Sequence, residues 1–249
     1  MARTPDYFHG KTVLITGAGG SIGSELCRQL LSCRPARVVL YELSELALYT
    51  VHQELEQLTE GTGIEIVPVL GSVTDAQALT RTIRAEGVQV ILHAAAYKHV
   101  PLVEQNPLAG VANNVFGTRT AAQAALDCGI ERFVLVSTDK AVRPRGVMGA
   151  TKRMAELIVG EMARRSEGTI FAMVRFGNVL GSSGSVVPIF HDQVSRGGPV
   201  TVTDPEVTRY FMTVQEACRL VLWSGTLAQG GEIFVLDMGK PVRIVDVAR

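Results

Sequence analysis

What is scarce in this 249-residue sequence narrows it first. Only four cysteines occur, Cys27, Cys33, Cys128 and Cys218, and none stands in a C-x-x-C pair. That excludes a ribbon-type zinc site and a disulfide scaffold, suits reduced thiols in a cytosolic setting, and leaves no metal expected. Net charge is missing too. Lys plus Arg and Asp plus Glu both number 24, so no overall field draws nucleic acid or an anionic membrane surface. Any anionic ligand must then be gripped by a local site. No uninterrupted apolar run reaches about 18 residues, and residues 1–10 are polar and charged where a signal peptide would be apolar. The chain is expected to be soluble, with no membrane segment. Internal repeats, low-complexity tracts and long charge runs are also lacking, which leaves a structured enzyme as the default class.

With 47% hydrophobic residues, the sequence can bury the core of one large α/β domain and carry a small second lobe. Short apolar runs at 12–16, 37–41, 64–70, 88–93, 132–137, 171–176 and 232–237 alternate with amphipathic stretches. Strands covered by helices on both faces read as continuous apolar runs, so this rhythm predicts a doubly wound, Rossmann-type parallel sheet. Beyond Phe176 the composition shifts to Gly, Ser and Pro, with a short strand expected at 199–203. A helix at 214–227 and a strand at 232–237 return to the main sheet. The expected division is therefore a Rossmann domain of 1–176 joined by 214–238, and a substrate lobe of 177–213 with 239–249. Residues 241–249 begin a further strand and helix pattern that stops at an arginine, so this lobe is expected to be incomplete.

After the first strand runs Thr16-Gly17-Ala18-Gly19-Gly20-Ser21-Ile22-Gly23, leading into a helix expected at 24–31. Glycines let backbone approach a pyrophosphate, and a helix N-terminus offers N–H groups and partial positive charge. Gly17, Gly20, Ser21, Ile22 and Gly23 thus form a candidate dinucleotide cradle; a tight structural turn is the plain alternative. Glu42 ends the second strand roughly 20 residues further on, where a carboxylate accepts from the adenosine ribose hydroxyls. Such an acid repels a 2′-phosphate and favours NAD over NADP, although a solvated surface glutamate would look the same. At Gly71-Ser72-Val73 a serine stands where many such enzymes carry the acid that meets adenine, which leaves the adenine contact open.

The segments His93-Ala94-Ala95-Ala96-Tyr97-Lys98-His99-Val100-Pro101, Asn113-Asn114-Val115-Phe116-Gly117-Thr118 and Ser137-Thr138-Asp139-Lys140, with the glycine loop, resemble the extended short-chain dehydrogenase/reductase family. More narrowly they resemble its polysaccharide-biosynthesis branch of UDP-N-acetylglucosamine 4,6-dehydratases. The resemblance runs from Gly10 to Arg249. It implies a Rossmann-type NAD domain, with Val73, Ala94, Ala95 and Lys152 among the cofactor contacts, and a smaller lobe for a UDP-sugar. It also implies a cytoplasmic unit, which some members carry behind membrane helices, and enzymes that commonly associate as homo-oligomers.

The family's Tyr-x-x-x-Lys pair, one face of one helix, corresponds here to Met148-Gly149-Ala150-Thr151-Lys152. A thioether takes no proton, so Met148 cannot serve as the base. The change implies either a dead enzyme or the dehydratase subgroup with methionine at this position, which points to retention at C5; the active reading is taken. In it, Thr138 binds the sugar C4 hydroxyl, whose proton leaves through water or the ribose and Lys152 network. Hydride passes from C4 to NAD, Lys140 removes the C5 proton, Asp139 protonates the departing C6 hydroxyl, and hydride returns to C6. An exposed, inert Asp-Lys pair is the plain alternative.

Arg175-Phe176-Gly177-Asn178-Val179-Leu180-Gly181 and Thr208-Arg209-Tyr210-Phe211-Met212 match the branch's substrate-lobe motifs. The resemblance assigns Asn178 and Arg209 to the UDP diphosphate, for which a planar, permanently charged guanidinium is suited. Lys98, Ser185 and Val186 complete the substrate set; His99 stays outside the catalytic one. Two other functions remain open, a UDP-sugar epimerase of the same fold and a non-catalytic dinucleotide-binding regulatory protein.

Overall fold

A computed structural model of the chain describes residues 5–182, 186–202, 204 and 206–248. Ser185 and the side chain of Val186 lie outside the described residues. Strands are β1 (Thr12–Thr16), β2 (Arg37–Glu42), β3 (Glu65–Leu70), β4 (Val90–His93), β5 (Arg132–Val136), β6 (Ile170–Arg175), β7 (Asn178–Leu180), β8 (Thr208–Arg209), β9 (Phe211–Thr213), β10 (Ile233–Val235) and β11 (Val242–Arg243). Helices are α1 (Ser21–Leu31), α2 (Glu45–Thr59), α3 (Ala76–Ala85), α4 (Val100–Gln105), α5 (Pro107–Gly110), α6 (Gly117–Asp127), α7 (Val147–Arg165), α8 (Val186–Ser195), α9 (Val214–Leu227) and α10 (Ile244–Val247).

Seven strands form one sheet in the order β10-β6-β5-β4-β1-β2-β3, every pair parallel. This is the doubly wound class the apolar rhythm predicts, and the periodicity explains it. In β1, Val13 and Ile15 point to one face and pack with Leu26 and Leu30 of α1 and with Val221 of α9. Leu14 points to the other, with Phe133 of β5, Ala121 and Ala125 of α6 and Val159 of α7. Both faces are therefore dry, which a strand of alternating polar residues could not support. The edge strand β3 is half exposed and contains Pro68, whose missing N–H is tolerated at a sheet edge.

Two differences from the sequence expectation have local causes. Helix α1 begins at Ser21 rather than at residue 24, because Gly20 takes the extended N-cap conformation and its carbonyl already accepts from Ser24 N at 2.9 Å. No strand forms over 199–202. Gly197 and Gly198 turn the chain through positive φ, and the Thr201 N–H goes to the Gln193 side chain at 3.0 Å instead of to a ladder. The strands of this region are instead two small pairs, β7 with β9 and β8 with β11. Helix α9 starts as its sequence suggests, the Thr213 hydroxyl accepting from Glu216 N at 3.1 Å.

Phe133 sits at the centre of the sheet, fully buried, with ring centroids 5.5 Å from both His93 and Phe171. Phe133→Ala is expected to lower unfolding free energy by about 3–5 kcal/mol. Urea denaturation checks it, and a loss below about 1 kcal/mol would mean that this ring does not anchor the core face between the sheet, α6 and α7.

Candidate active site

The carboxyl ends of the parallel strands open into a groove where β1 has β2 on one side and β4 on the other, the switch point at which doubly wound sheets bind ligands. Three adjoining cavities of about 270, 510 and 390 Å³ follow this edge, sharing Ala94, Ala96 and Tyr97. The first two are floored by the glycine turn. Gly17 has φ of +66°, and a Cβ there would stand 2.7 Å from the Cα of Ala95. At Gly23 a Cβ would stand 2.0 Å from the Gly17 carbonyl oxygen. Only bare backbone fits, and the first turn of α1 is thereby brought to the groove, the arrangement that holds a diphosphate.

Glu42, at the end of β2, faces the same cavity and is fixed by three backbone donors. Gly19 N donates to Oε2 at 3.0 Å; Leu43 N and Ser44 N each donate to Oε1 at 2.9 Å. The carboxylate is thus anchored beside the glycine turn. Ser72 and Val73 line the same end of the groove. The Ser72 hydroxyl shares a hydrogen bond with Thr74 Oγ1 at 2.7 Å.

At the other end lies the cavity of about 390 Å³, lined by Lys98, Thr138, Lys140, Met148, Lys152 and Asn178 among others. Leaving β5, the chain makes a short 3₁₀ turn, Asp139–Ala141. Here the Thr138 hydroxyl donates to Asp139 Oδ1 at 3.0 Å, and Lys140 Nζ donates to the same oxygen at 3.1 Å and to Asn178 Oδ1 at 3.0 Å. An acid, an amine, a hydroxyl and an amide therefore share one hydrogen-bonded cluster. Asp139 joins the site through these bonds. Burial alone lowers the proton affinity of Lys98, which stands at the mouth.

Lys152 is buried one helical turn beyond Met148 and donates to the Val136 carbonyl at 2.7 Å. Its pKa is pushed down to about 8, by burial first and against the pull of the Glu156 charge. Sequence reading missed Glu156, because a glutamate on a helix reads as a solvated face. In the fold it is buried and accepts from Ser137, Arg175 and Arg153. Burial pushes its carboxyl up, but these donors, Arg175 above all, hold it below the usual carboxylate range. The only hint was position: four residues after Lys152, on the same face.

His93, the polar end of β4, was likewise missed as a single residue. Its Nδ1 lies 2.8 Å from Thr16 Oγ1 and its Nε2 3.1 Å from Thr118 Oγ1. The Thr118 proton goes to the Asn114 carbonyl at 2.7 Å, so Nε2 must be the donor and Nδ1 the acceptor from Thr16. Asn114, inside a π-helical turn at Val111–Phe116, bonds both backbone groups of Tyr97 and donates to Thr151 Oγ1 at 3.0 Å. Thr151 passes its own proton to the Met148 carbonyl at 2.7 Å.

The groove thus gathers Gly17, Gly20, Ser21, Ile22, Gly23, Glu42, Ser72, Val73, Ala94 and Ala95 along one length, and Lys98, Thr138, Lys140, Met148, Lys152 and Asn178 along the next. Arg209 does not line it: exposed on β8, it donates to the Thr208 carbonyl at 2.8 Å. Among the described residues, no three His, Cys, Asp or Glu side chains are grouped to hold a metal ion, and no helix is long and apolar enough to cross a membrane.

The family described as polysaccharide biosynthesis protein matches residues 13–249. The chain belongs to this family, a branch of the extended short-chain dehydrogenase/reductases. The capsular polysaccharide biosynthesis protein CapD of Staphylococcus aureus is 53% identical over 249 residues, 100% of this chain and 41% of that protein. The chain therefore spans about two fifths of that relative's length. A UDP-N-acetylglucosamine 4,6-dehydratase (inverting) of Campylobacter jejuni is 31% identical over 245 residues, 97% of this chain and 71% of that protein. A UDP-glucose 4-epimerase of Rickettsia rickettsii is 31% identical over 232 residues, 92% and 66% of the two chains. Among solved structures, Pen from Bacillus thuringiensis superposes with a TM-score of 0.90 at 32% identity, covering 97% of this chain and 75% of that one. DesIV, a dTDP-glucose 4,6-dehydratase from Streptomyces venezuelae solved with NAD bound, gives 0.83 at 25% identity, covering 95% and 79%.

Burial first, and the Lys152 charge second, push His93 down to about 3, so it stays neutral in the fold while an unfolded histidine titrates near about 6.5. Its contribution to stability is whole above about pH 6.5 and is lost as the pH falls toward about 3. For His93→Asn, the loss of unfolding free energy between pH 7 and pH 5 is expected to be smaller than in the parent by about 2 kcal/mol. Urea titrations at the two pH values measure this; parallel losses in both chains would show that His93 is protonated in the fold.

Proposed function

We propose that this chain is the catalytic unit of a UDP-N-acetylglucosamine 4,6-dehydratase, an NAD-dependent lyase serving surface-polysaccharide or glycan synthesis on the cytoplasmic side. The observation that carries the reading is the cluster of Thr138, Asp139, Lys140 and Asn178, which shares a cleft with Lys152 and with a methionine in the tyrosine's place. The Campylobacter dehydratase at 31% identity supports the substrate, and DesIV with its NAD supports the cofactor.

The cradle fits a dinucleotide, since the missing Cβ atoms at Gly17 and Gly23 let the turn pack backbone against backbone on Ala95 and on itself, which brings the first turn of α1 to the groove where a diphosphate would lie. Gly17, Gly20, Ser21, Ile22 and Gly23 would hold that diphosphate, Glu42 the adenosine ribose, and Lys152 the nicotinamide ribose, with Ser72, Val73, Ala94 and Ala95 alongside. The bound dinucleotide would supply the acceptor and donor of hydride. Glu42, already anchored by three N–H groups, disfavours a 2′-phosphate and so selects NAD.

The proton chemistry belongs to the chain's own side chains. Transfer of one proton across the 3.1 Å contact turns the Lys140–Asp139 ion pair into an amine and a neutral acid. With C4 as a ketone the C5 hydrogen is acidic, and the Lys140 amine takes it. Asp139 protonates the C6 hydroxyl, which leaves as water. The Lys140 ammonium, whose three protons are equivalent and exchange with solvent, returns one to C5, with retention there, as in the methionine-bearing subgroup. The proton released by the C4 hydroxyl, held by Thr138, restores the pair, so the cycle balances without an outside acid. Residues 177–213 and 239–249 form the substrate lobe in this reading, with Lys98, Asn178, Ser185, Val186 and Arg209 toward the UDP-sugar.

A second reading, UDP-sugar epimerase, is favoured by the equal identity of the Rickettsia relative. Incubation with UDP-N-acetylglucosamine and NAD in deuterated water separates them by NMR. The dehydratase yields a new C6 methyl signal with deuterium at C5, whereas an epimer has no methyl. Asp139→Asn and Lys140→Met are each expected to slow methyl formation by at least about 100-fold, with dinucleotide binding held within about 3-fold. An epimeric product, or tight NAD binding without any turnover, would sink the proposal.

A further inference from the structure

We infer that Glu156 is the positioning residue of this site: its single buried carboxylate ties the ends of β5 and β6 to α7 and holds Lys152 and the Thr138–Lys140 turn in register, an assignment that rests on those groups being the reacting ones. Four donors converge on it. Ser137 Oγ reaches Oε1 at 2.6 Å and Arg175 Nε the same oxygen at 2.7 Å; terminal nitrogens of Arg175 and Arg153 reach Oε2 at 2.6 and 3.1 Å. Ser137 directly precedes Thr138. Arg175 stands three residues before Asn178, which accepts from Lys140. Lys152 lies one helical turn before Glu156 on α7. Backbone bonds continue the tie, from Ser137 N to the Val174 carbonyl at 2.7 Å and from Asp139 N to the Phe176 carbonyl at 3.0 Å.

Stability alone gives no reason for this arrangement. A buried, doubly bonded arginine–carboxylate pair gains little over apolar side chains of the same volume, because desolvation offsets the attraction. What the pair supplies is fixed geometry, and a negative charge beside a buried ammonium. Of the other charged groups at this cleft, the Asp139 carboxylate is engaged by Lys140. His93 from β4 is neutral, Arg175 from β6 is spent on Glu156, and Lys98 and Lys140, which line the same cleft, are cations.

The test uses the full chain in three variants: Glu156→Gln, Glu156→Asp, and Glu156→Met combined with Arg175→Met. The last removes Arg175 together with the carboxylate, so that the arginine is not left as a buried unpaired charge, and is read in the same way if Glu156→Gln does not fold. The primary measurement is the NMR titration of the Lys152 ammonium without cofactor or sugar, which stands even if the chain turns out to lack dehydratase activity. In Glu156→Gln and in the double variant, Lys152 is expected to titrate at least about one pH unit below the parent's value of about 8. In the active chain, kcat should fall at least about 10-fold while the sugar KM moves less than about 3-fold, and Glu156→Asp should recover part of both effects. A folded Glu156→Gln chain whose Lys152 titrates as in the parent, whatever its rate, overturns the assignment.

Discussion

Where β1 and β4 part, backbone lies against backbone with no room for a side chain, and the position of every other group in the groove follows from that contact. A Cβ on Gly17 would collide with Ala95, and one on Gly23 with the Gly17 carbonyl. The Thr16 hydroxyl closes the same junction from within, donating to His93 and accepting from Ala95 N at 3.3 Å. The turn after β1 is therefore seated on the end of β4 instead of standing free above it. Because the turn is seated, α1 starts at the groove, Gly19 N reaches Glu42, and the loop carrying Lys98 leaves β4 along the neighbouring cavity. Loosening this contact would widen the crevice and separate the anchored acid from the glycine turn together.

Two polar networks fix α7, and they differ in kind. One is neutral: Thr16, His93, Thr118, Asn114 and Thr151 hand hydrogen bonds in one direction until the last ends on the Met148 carbonyl. The π-helical turn helps here, since one widened turn aims Asn114 at Tyr97 and Thr151 at once. The other is charged, with Glu156 between Ser137, Arg153 and Arg175. The first holds the beginning of α7 and the second holds its next turns. Lys152 lies between them, with its Nζ bonded to Val136, the last residue of β5. A helix pinned at both points cannot slide along its axis, so the lysine keeps its height over the cleft while burial lowers its proton affinity.

The sheet was legible because a strand covered on both faces has to be written as a continuous apolar run, as Val13-Leu14-Ile15 and Phe133-Val134-Leu135-Val136 are. Glycine turn and acid were legible for a similar reason, since close approach tolerates one residue type and leaves a spacing behind. The stretch after Phe176 was harder. Its strands of two or three residues are too short for any period to appear, and a run such as Pro199-Val200-Thr201 carries strand-like residues whose N–H is claimed by Gln193. Glu156 and His93 were hidden differently. Polarity in a helix or at a strand end suggests water, and only three-dimensional packing reveals that their partners come from residues 19 and 77 positions away. Arg209 shows the converse limit, for the sequence names a suitable side chain but not the direction it takes.

Met148 gives these observations a common sense. It is buried at the start of α7, its N–H donating to Glu104 Oε1 at 3.3 Å and its carbonyl accepting from Thr151, so the backbone there is as firmly held as a catalytic position requires. Only the proton-carrying atom is missing. A cleft without a phenol must move protons through what remains, and in the proposed reaction Thr138, Asp139 and Lys140 already form one connected set. That set is sufficient because the reaction is closed with respect to protons: the one lost by the C4 hydroxyl matches the one that departs in water, and the one taken from C5 is matched by one that Lys140 gives back. A simple oxidation releases its proton to solvent and needs a conduit such as a tyrosine. An elimination that consumes the same proton does not, and under that reading a thioether costs the site nothing.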